Sequence, residues 1–468
     1  MRVRFLAAAL ALGTSMGCEA ILPSEVNKDN CVLNPGICDI AGGQTCDMNL
    51  KRCVPRGGTC AGPVDCTMAT AAACPDRQCV PCSADNQCKA WSQARVLAMP
   101  LDFCVGGTCG NCRTNVDCAG SSVGGICDDK THLCRGCEAH TECDSAAGAG
   151  DGICRRPGDY PETPPVGVEA GKCVPSSLIA FATNKGSNCE MMSTNSSTLS
   201  RPYCNLTIAA ASVKPYIKVL PANYTALTLN GMSVNLVGPG RDAAQGAILA
   251  GLAVNGGTVS VSDLIVQASP GVIAAQCRGS ASLYLNYTKV SSVNAIGVDA
   301  QQDCSRVYID RTRIESTGTL AITIGEAGTT AASYRIVNTA VVQSGGAGAA
   351  NVNPVRLGSN ANVGIFAFNT LSGTIGGVSC TKGTQSLTDS IISVGSGTPV
   401  ATCMQARLAI GTAELMAGTE PMLTTSAANT ACCIDKGVNP SGNLVVTDYF
   451  GTKRPVGAGF DIGFHEVQ

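Results

Sequence analysis

"VSVSDLIVQAS" (259–269), "LYLNYTKVSSV" (283–293) and "VYIDRTRIEST" (307–317) align without gaps at a spacing of 24 residues. "YRIVNTAVVQS" (334–344) follows after 27, "GIFAFNTLSGT" (364–374) after 30 and "QSLTDSIISVG" (385–395) after 21. One aligned column reads Val261, Leu285, Ile309, Ile336, Phe366 and Leu387, and a second reads Val266, Val290, Ile314, Val341, Leu371 and Ile392. Both columns are apolar throughout. Short β-branched runs separated by Gly, Ser and Asn turns cannot bury an apolar side alone. Stacked as coils, each strand pairs in parallel about 4.8 Å from the next, and the columns become a continuous core. Such a period, with strands and no helical pattern, predicts an all-β solenoid. We read it as a single-stranded parallel β-helix, right-handed by the crossover rule for parallel strands. A leucine-rich repeat is the nearest competitor, but its LxxLxL spacing is absent.

Upstream of residue 175 the physics is different. Of 29 cysteines, 20 lie between Cys31 and Cys173, and eight between Cys189 and Cys433. Both sets are even, as closed disulfide frameworks require, and Cys18 is left over. The spacing Cys79-x2-Cys82-x5-Cys88 recurs at Cys109, Cys112 and Cys118, and again at Cys134, Cys137 and Cys143. Hydrophobic residues there are too scattered to form a core, so disulfides must hold the chain. CxxC pairs also suit zinc, but a periodic array is not one four-ligand site, and at this density crosslinking is the expected use.

The chain opens "MRVRFLAAALALGTSMGC": two arginines, an apolar run from Phe5 to Leu12, then small residues before Cys18. This is a secretory signal pattern, too short to span a bilayer. Small residues followed by cysteine resemble a bacterial lipobox, which makes Cys18 the lipidated residue of a membrane-anchored chain; without lipidation the protein is secreted. The expected divisions are a signal peptide at 1–17, a linker at 18–30, disulfide repeats at 31–175 and the β-helix at 176–468. A formal net charge of −2 gives no basis for nucleic-acid binding.

The cysteines of the second region fit the coils. Cys277 and Cys304 fall at similar angles on adjacent coils, as do Cys380 and Cys403, which predicts two bridges. Cys189 and Cys204 pair by elimination. Cys432 and Cys433 then bond each other, or exchange with Cys380 or Cys403.

Three segments carry resemblances. The cysteine modules are similar in style to disulfide-stapled stalks of bacterial surface proteins, notably myxobacterial ones. The stretch 202–240 resembles the opening of pectate-lyase-like β-helix proteins, which implies a short capping helix around Asn205–Ser212 and a turn ending in Tyr224. The tail resembles the last coils of the choice-of-anchor Q family, through Asp448, Gly451, Arg454, Asp461, Ile462, Gly463 and Glu466. That family's members are named for varied surface anchors, and the resemblance implies no catalytic role for the motif. In "GFDIGFHE" (459–466) the set Asp461, His465 and Glu466 is raw material for a metal or an acid/base pair. With no second histidine in the β-helix, it reads as the cap of the last coil.

Chemistry on the solenoid is weakly signalled. Polygalacturonase-like sequences carry NTD, DD, GHG and RIK signatures; here Asn338-Thr339 and Asn369-Thr370 lack the following Asp, and "RIE" (313–315) replaces RIK. The best polar cluster is Asn286, Tyr287, Lys289, Asp310, Arg311, Arg313 and Glu315, in outward columns of two adjacent coils. It could contact an extracellular polysaccharide, against the plainer reading of a solvated sheet face. The expectation is a non-catalytic structural, adhesive or glycan-binding protein of the cell surface or outer membrane, with no catalytic residue, no metal and no cofactor. The alternative is a divergent polysaccharide lyase or glycoside hydrolase, for which calcium would be the cofactor.

Overall fold

The computed structural model describes residues 38, 44–47, 52–55, 66 and, with internal gaps of which 157–169 is the longest, 68–467. Cys18, the leader and the linker at 18–30 lie outside the described residues. Two compact units divide between Gly136 and Cys137.

The first unit is built from crossed disulfides. Cys82–Cys104 and Cys88–Cys109 enclose a helix, Asp85–Arg95, and a hairpin, Phe103–Val105 with Thr108–Gly110. Cys112–Cys127 and Cys118–Cys134 repeat the plan around a short 3-10 turn, Asn115–Cys118, and the hairpin Ile126–Cys127 with Cys134–Arg135. The CxxC pair at Cys109 and Cys112 is therefore split: its first cysteine closes one module and its second opens the next. Both sulfurs are in disulfides, Cys109 with Cys88 and Cys112 with Cys127, and offer no thiolate to zinc. Trp91 is buried among them, and its Nε1–H donates to the Cys66 carbonyl at 2.6 Å.

A third module of the same design, Cys137–Cys154 and Cys143–Cys173 around the helix His140–Ala147, belongs to the second unit. The compact unit that holds the coils thus begins at Cys137, upstream of the change in composition near residue 175. The reason is packing: Ile153 and Val174 share a core cluster with Ile179, Phe181, Tyr216 and Val237 of the first coils.

The second unit is a parallel β-helix of three sheets. The first has ten strands, from Ile179–Ala182 to Met404–Ala406; the second has nine, from Asn223–Tyr224 to Ala409–Ile410; the third has eight, from Leu227–Asn230 to Val400–Ala401. Val261, Leu285, Ile309, Ile336, Phe366 and Leu387 are consecutive partners in the first sheet, and Val266, Val290, Ile314, Val341, Leu371 and Ile392 in the second. All twelve side chains are buried in one cluster running through the coils. A parallel inward column places Tyr334 beside Gly364, where any Cβ would lie 2.1 Å from the ring. The Tyr334 hydroxyl donates to Gln385 Oε1 at 2.7 Å, so the buried phenol keeps a partner. The entry end is closed by the helix Leu206–Ala210, whose N-cap Asn205 accepts the Ile208 amide. No helix among the described residues is long and apolar enough to cross a membrane.

Cys277 bonds Cys304, Cys380 bonds Cys403 and Cys189 bonds Cys204, across sequence separations of 27, 23 and 15. A bridge closing about 15 residues removes roughly 3 kcal/mol of loop entropy from the unfolded chain. Cys432 bonds its neighbour Cys433, a separation of 1, and confines no chain at all.

Candidate functional site

The corner between the first and second sheets is made by one residue per coil in the left-handed region. Asp263, Tyr287, Arg311, Asn338, Phe368 and Asp389 occupy it with φ of 56°, 48°, 47°, 48°, 54° and 50°. Side chains other than glycine adopt this conformation only when surroundings enforce it. Behind Tyr287, Arg311 and Asp389 the next residue supplies a hydroxyl to the bend. Thr288 Oγ1 donates to the Val261 and Asn286 carbonyls, Thr312 Oγ1 to Leu285 and Asp310, and Ser390 Oγ to Thr388. Each short polar side chain satisfies carbonyls inside the bend. The two "NT" dipeptides therefore differ by one position. Asn338 sits on the corner itself, whereas Asn369 takes the inward place, donating to the Ile336 carbonyl at 2.8 Å.

This corner column, with the strand ends beside it, gathers most of the buried charge of the coils. Asp263 receives Arg156 Nη1 at 3.2 Å and Nη2 at 2.8 Å, and His140 Nε2 at 3.1 Å. Burial alone would raise its carboxyl, but Arg156 and His140 overcome that and hold it well below the ordinary carboxylate range. The other nitrogen of His140, Nδ1, accepts the Cys154 amide at 3.0 Å, so Nε2 carries the proton donated to Asp263. An Asp–His pair is half of a nucleophile-activating triad. This one has no lone pair left to take a proton, which makes it a clamp on the third cysteine module.

One coil further on, Tyr287 lies between two guanidinium groups, Arg156 at 4.0 Å and Arg311 at 4.3 Å from its ring centre. Arg311 also donates to the Tyr287 hydroxyl at 2.7 Å, pairs with Asp310 at 3.0 Å and reaches Thr447 Oγ1 at 3.3 Å. Asn338 donates to Asp310 and to the Thr447 carbonyl. Arg241, from the loop after an early coil, bonds the Arg311 carbonyl and stacks on Tyr449 at 3.9 Å.

Thr447 immediately precedes the C-terminal motif, whose polar residues have mechanical tasks. Asp448 accepts the amides of Phe450, Thr452 and Glu466. Asp461 accepts those of Asp435 and Val467, and Glu466 that of Asp461. Arg454 pairs with Glu466 at 3.3 Å, donates to the Asp461 and Gly463 carbonyls and stacks on Phe368 at 4.8 Å. Gly463 has φ of 100°, and a Cβ there would lie 2.7 Å from Ile391 Cδ1. The His465 ring meets Phe450 edge-on at 5.4 Å. Among the described residues, the only groups of three or more ligand atoms within 4.8 Å of one another are cysteine sulfurs. The tail carboxylates are used to fold the tail back onto the coils.

The seven residues read as a polar face divide accordingly. Asn286, Asp310, Arg311 and Arg313 are buried, at 1%, 6%, 2% and 6% exposure. Tyr287, Lys289 and Glu315 remain partly exposed, with Glu315 held by Arg313 at 2.6 Å and by Lys289 at 3.1 Å. Asp310 and Arg311 are bound up with the tail residue Thr447, through Asn338 and directly. Sequence reading missed Asp263, His140, Arg156 and Tyr449. Asp263 was within reach, since it precedes Tyr287 and Arg311 in the same register, but nothing marked the module and the tail as its neighbours. A small cleft beside the clamp is lined by His140, Tyr216, Asn235, Ser260, Ser262 and Asn286. It has room for about two waters and not for a sugar ring.

No protein-family model, curated protein or solved structure matches this chain.

Proposed function

We propose that this is an exported, lipid-anchored surface protein whose β-helix is a non-catalytic structural or adhesive body. The observation that supports this best is the pairing of charge along the corner seam. Asp263, Asp310 and Glu315 each answer to an arginine, and the Asp263–His140 pair has its remaining nitrogen bonded to a backbone amide. General acid or base work needs a group with a proton to give or a lone pair to offer. The tail, on this reading, belongs with the choice-of-anchor group and the opening coils with pectate-lyase-like β-helices. The half-exposed Tyr287, Lys289 and Glu315 are the part of the polar face open to an extracellular polysaccharide or a cell-surface component.

Two experiments test the proposal. The full-length chain, incubated with acidic and neutral polysaccharides with and without calcium, should yield no new reducing ends and no unsaturated uronate absorbance. Depolymerisation abolished by Arg313→Ala would establish the lyase or hydrolase reading instead. For anchoring, Cys18→Ala should move the protein from the membrane fraction to the soluble fraction of expressing cells. Unchanged partitioning would remove the lipid anchor from the proposal.

A further inference from the structure

The Cys432–Cys433 bridge differs in kind from the ten others whose pairing is described. Those span separations of 13 to 30 residues and so confine real lengths of chain. A bond between adjacent residues confines none, so loop entropy gives no account of its presence. Its place in the fold does. Cys432 is the last residue of the helix Ala427–Cys432 and is partly exposed, while Cys433 is fully buried against Ile391, Ala409, Leu423 and Ile462. The Cys433 carbonyl accepts the Ile462 amide at 2.8 Å, and two residues on, the Asp435 amide donates to Asp461. The ring formed by the two cysteines is thus the seat on which Asp461-Ile462-Gly463 rests against the final coils.

We propose that Cys432–Cys433 is a thiol–disulfide exchange site whose reactant is a dithiol, and that its redox state governs docking of the C-terminal tail. A dithiol thiolate attacks the accessible Cys432 sulfur; the sulfur–sulfur bond breaks, and Cys433 leaves as a thiolate that takes a proton. The second thiol of the reagent then attacks its own sulfur in the mixed disulfide and releases Cys432. Two electrons and two protons pass to the cysteines, and the dithiol becomes a disulfide. Opening the ring frees the peptide between the two cysteines to rotate. The Cys433 carbonyl then loses its fixed aim at Ile462, and the Asp435–Asp461 bond loses its anchor. No other described bridge is so coupled to the tail and so dispensable to chain confinement.

The test uses the full-length oxidised protein and graded dithiothreitol. Free thiols are trapped with N-ethylmaleimide and mapped by peptide mass, and backbone hydrogen exchange is followed over residues 460–467. Cys432 and Cys433 should become labelled at dithiothreitol concentrations about tenfold below those that open Cys277–Cys304 or Cys380–Cys403. Exchange at the Ile462, Gly463 and Val467 amides should rise over the same range. A Cys432→Ser, Cys433→Ser double variant should show the raised exchange without dithiothreitol and no further response to it. Labelling of this pair only together with the long-range bridges overturns the proposal. So does early labelling that leaves tail exchange unmoved, a result the wild-type titration gives even if the double variant does not fold.

Discussion

Replacing Asp263 by alanine should loosen the third cysteine module from the coils by about 3–5 kcal/mol, the cost of stranding a buried arginine whose partner has gone. Arg156 and His140 both converge on this carboxylate, and both are largely buried beside it. The Cys154 amide, bonded to His140, is the natural reporter. Its hydrogen exchange should quicken by about two to four orders of magnitude if local opening sets the rate. Asp263→Asn keeps an acceptor for His140 and should lose less. Exchange in Asp263→Ala within a factor of about three of wild type would show that the apolar contacts of Ile153 and Val174 hold the module without the clamp. The pH dependence has a definite sign. The folded-state carboxyl sits below the ordinary value, so the clamp's contribution is complete above an unfolded value of about 3.9 and is lost as pH falls from there through the lower folded value.

Arg454→Ala should have an effect of similar size, about 3–5 kcal/mol, on the stability of the tail. The substitution leaves Glu466 without its cation, strips the Asp461 and Gly463 carbonyls of donors and uncovers Phe368. Adding Glu466→Gln to Arg454→Met removes the stranded charge and keeps volume over Phe368. The double variant should therefore unfold at a higher denaturant midpoint than Arg454→Ala. A double variant no better than the single one would mean that the lost carbonyl bonds, and not the unpaired charge, carry the penalty. Asp461 and Glu466 respond to pH in the direction opposite to Asp263. Burial pushes both carboxyls up, so their ionisation costs more in the folded tail than in the unfolded chain. Acidification from neutrality through their range should thus protect the tail amides, whereas acidification below about pH 4 exposes those of the module.

The coils were legible because their physics is repetitive. An inward column such as Val261 to Leu387 has one acceptable chemistry at every level, and parallel stacking forces its members into register. The corner was partly legible: "NYT", "DRT" and "VNT" recur, but their reason, an inward hydroxyl behind a left-handed residue, appears only with the backbone in place. What the seam does was not legible. An outward charged residue looks the same in sequence whether it faces water or a distant segment, and Arg311 owes its 2% exposure to such cover. The packing of the third module on the coils was not legible for a related reason. Composition separates cysteine-rich from β-rich chain, but Ile153 and Val174 are two ordinary apolar residues whose partners lie further along the chain, in the first coils. The tail motif was recognisable as a pattern, and its carboxylates then had to be seen accepting backbone amides before their role was plain.

A solenoid in which each coil touches only its neighbours unfolds like a one-dimensional chain of dominoes, free to fray from either end. The tail changes that dimensionality. Gly463 donates to the Asp389 carbonyl, Phe464 to Thr370, and Thr447 is tied to Asn338 and Arg311, so the tail spans four consecutive coils like a splint. Fraying at the final coil must then disturb bonds made several coils away. A β-helix splinted in this way should melt as a block, with its last coils as resistant as its middle ones.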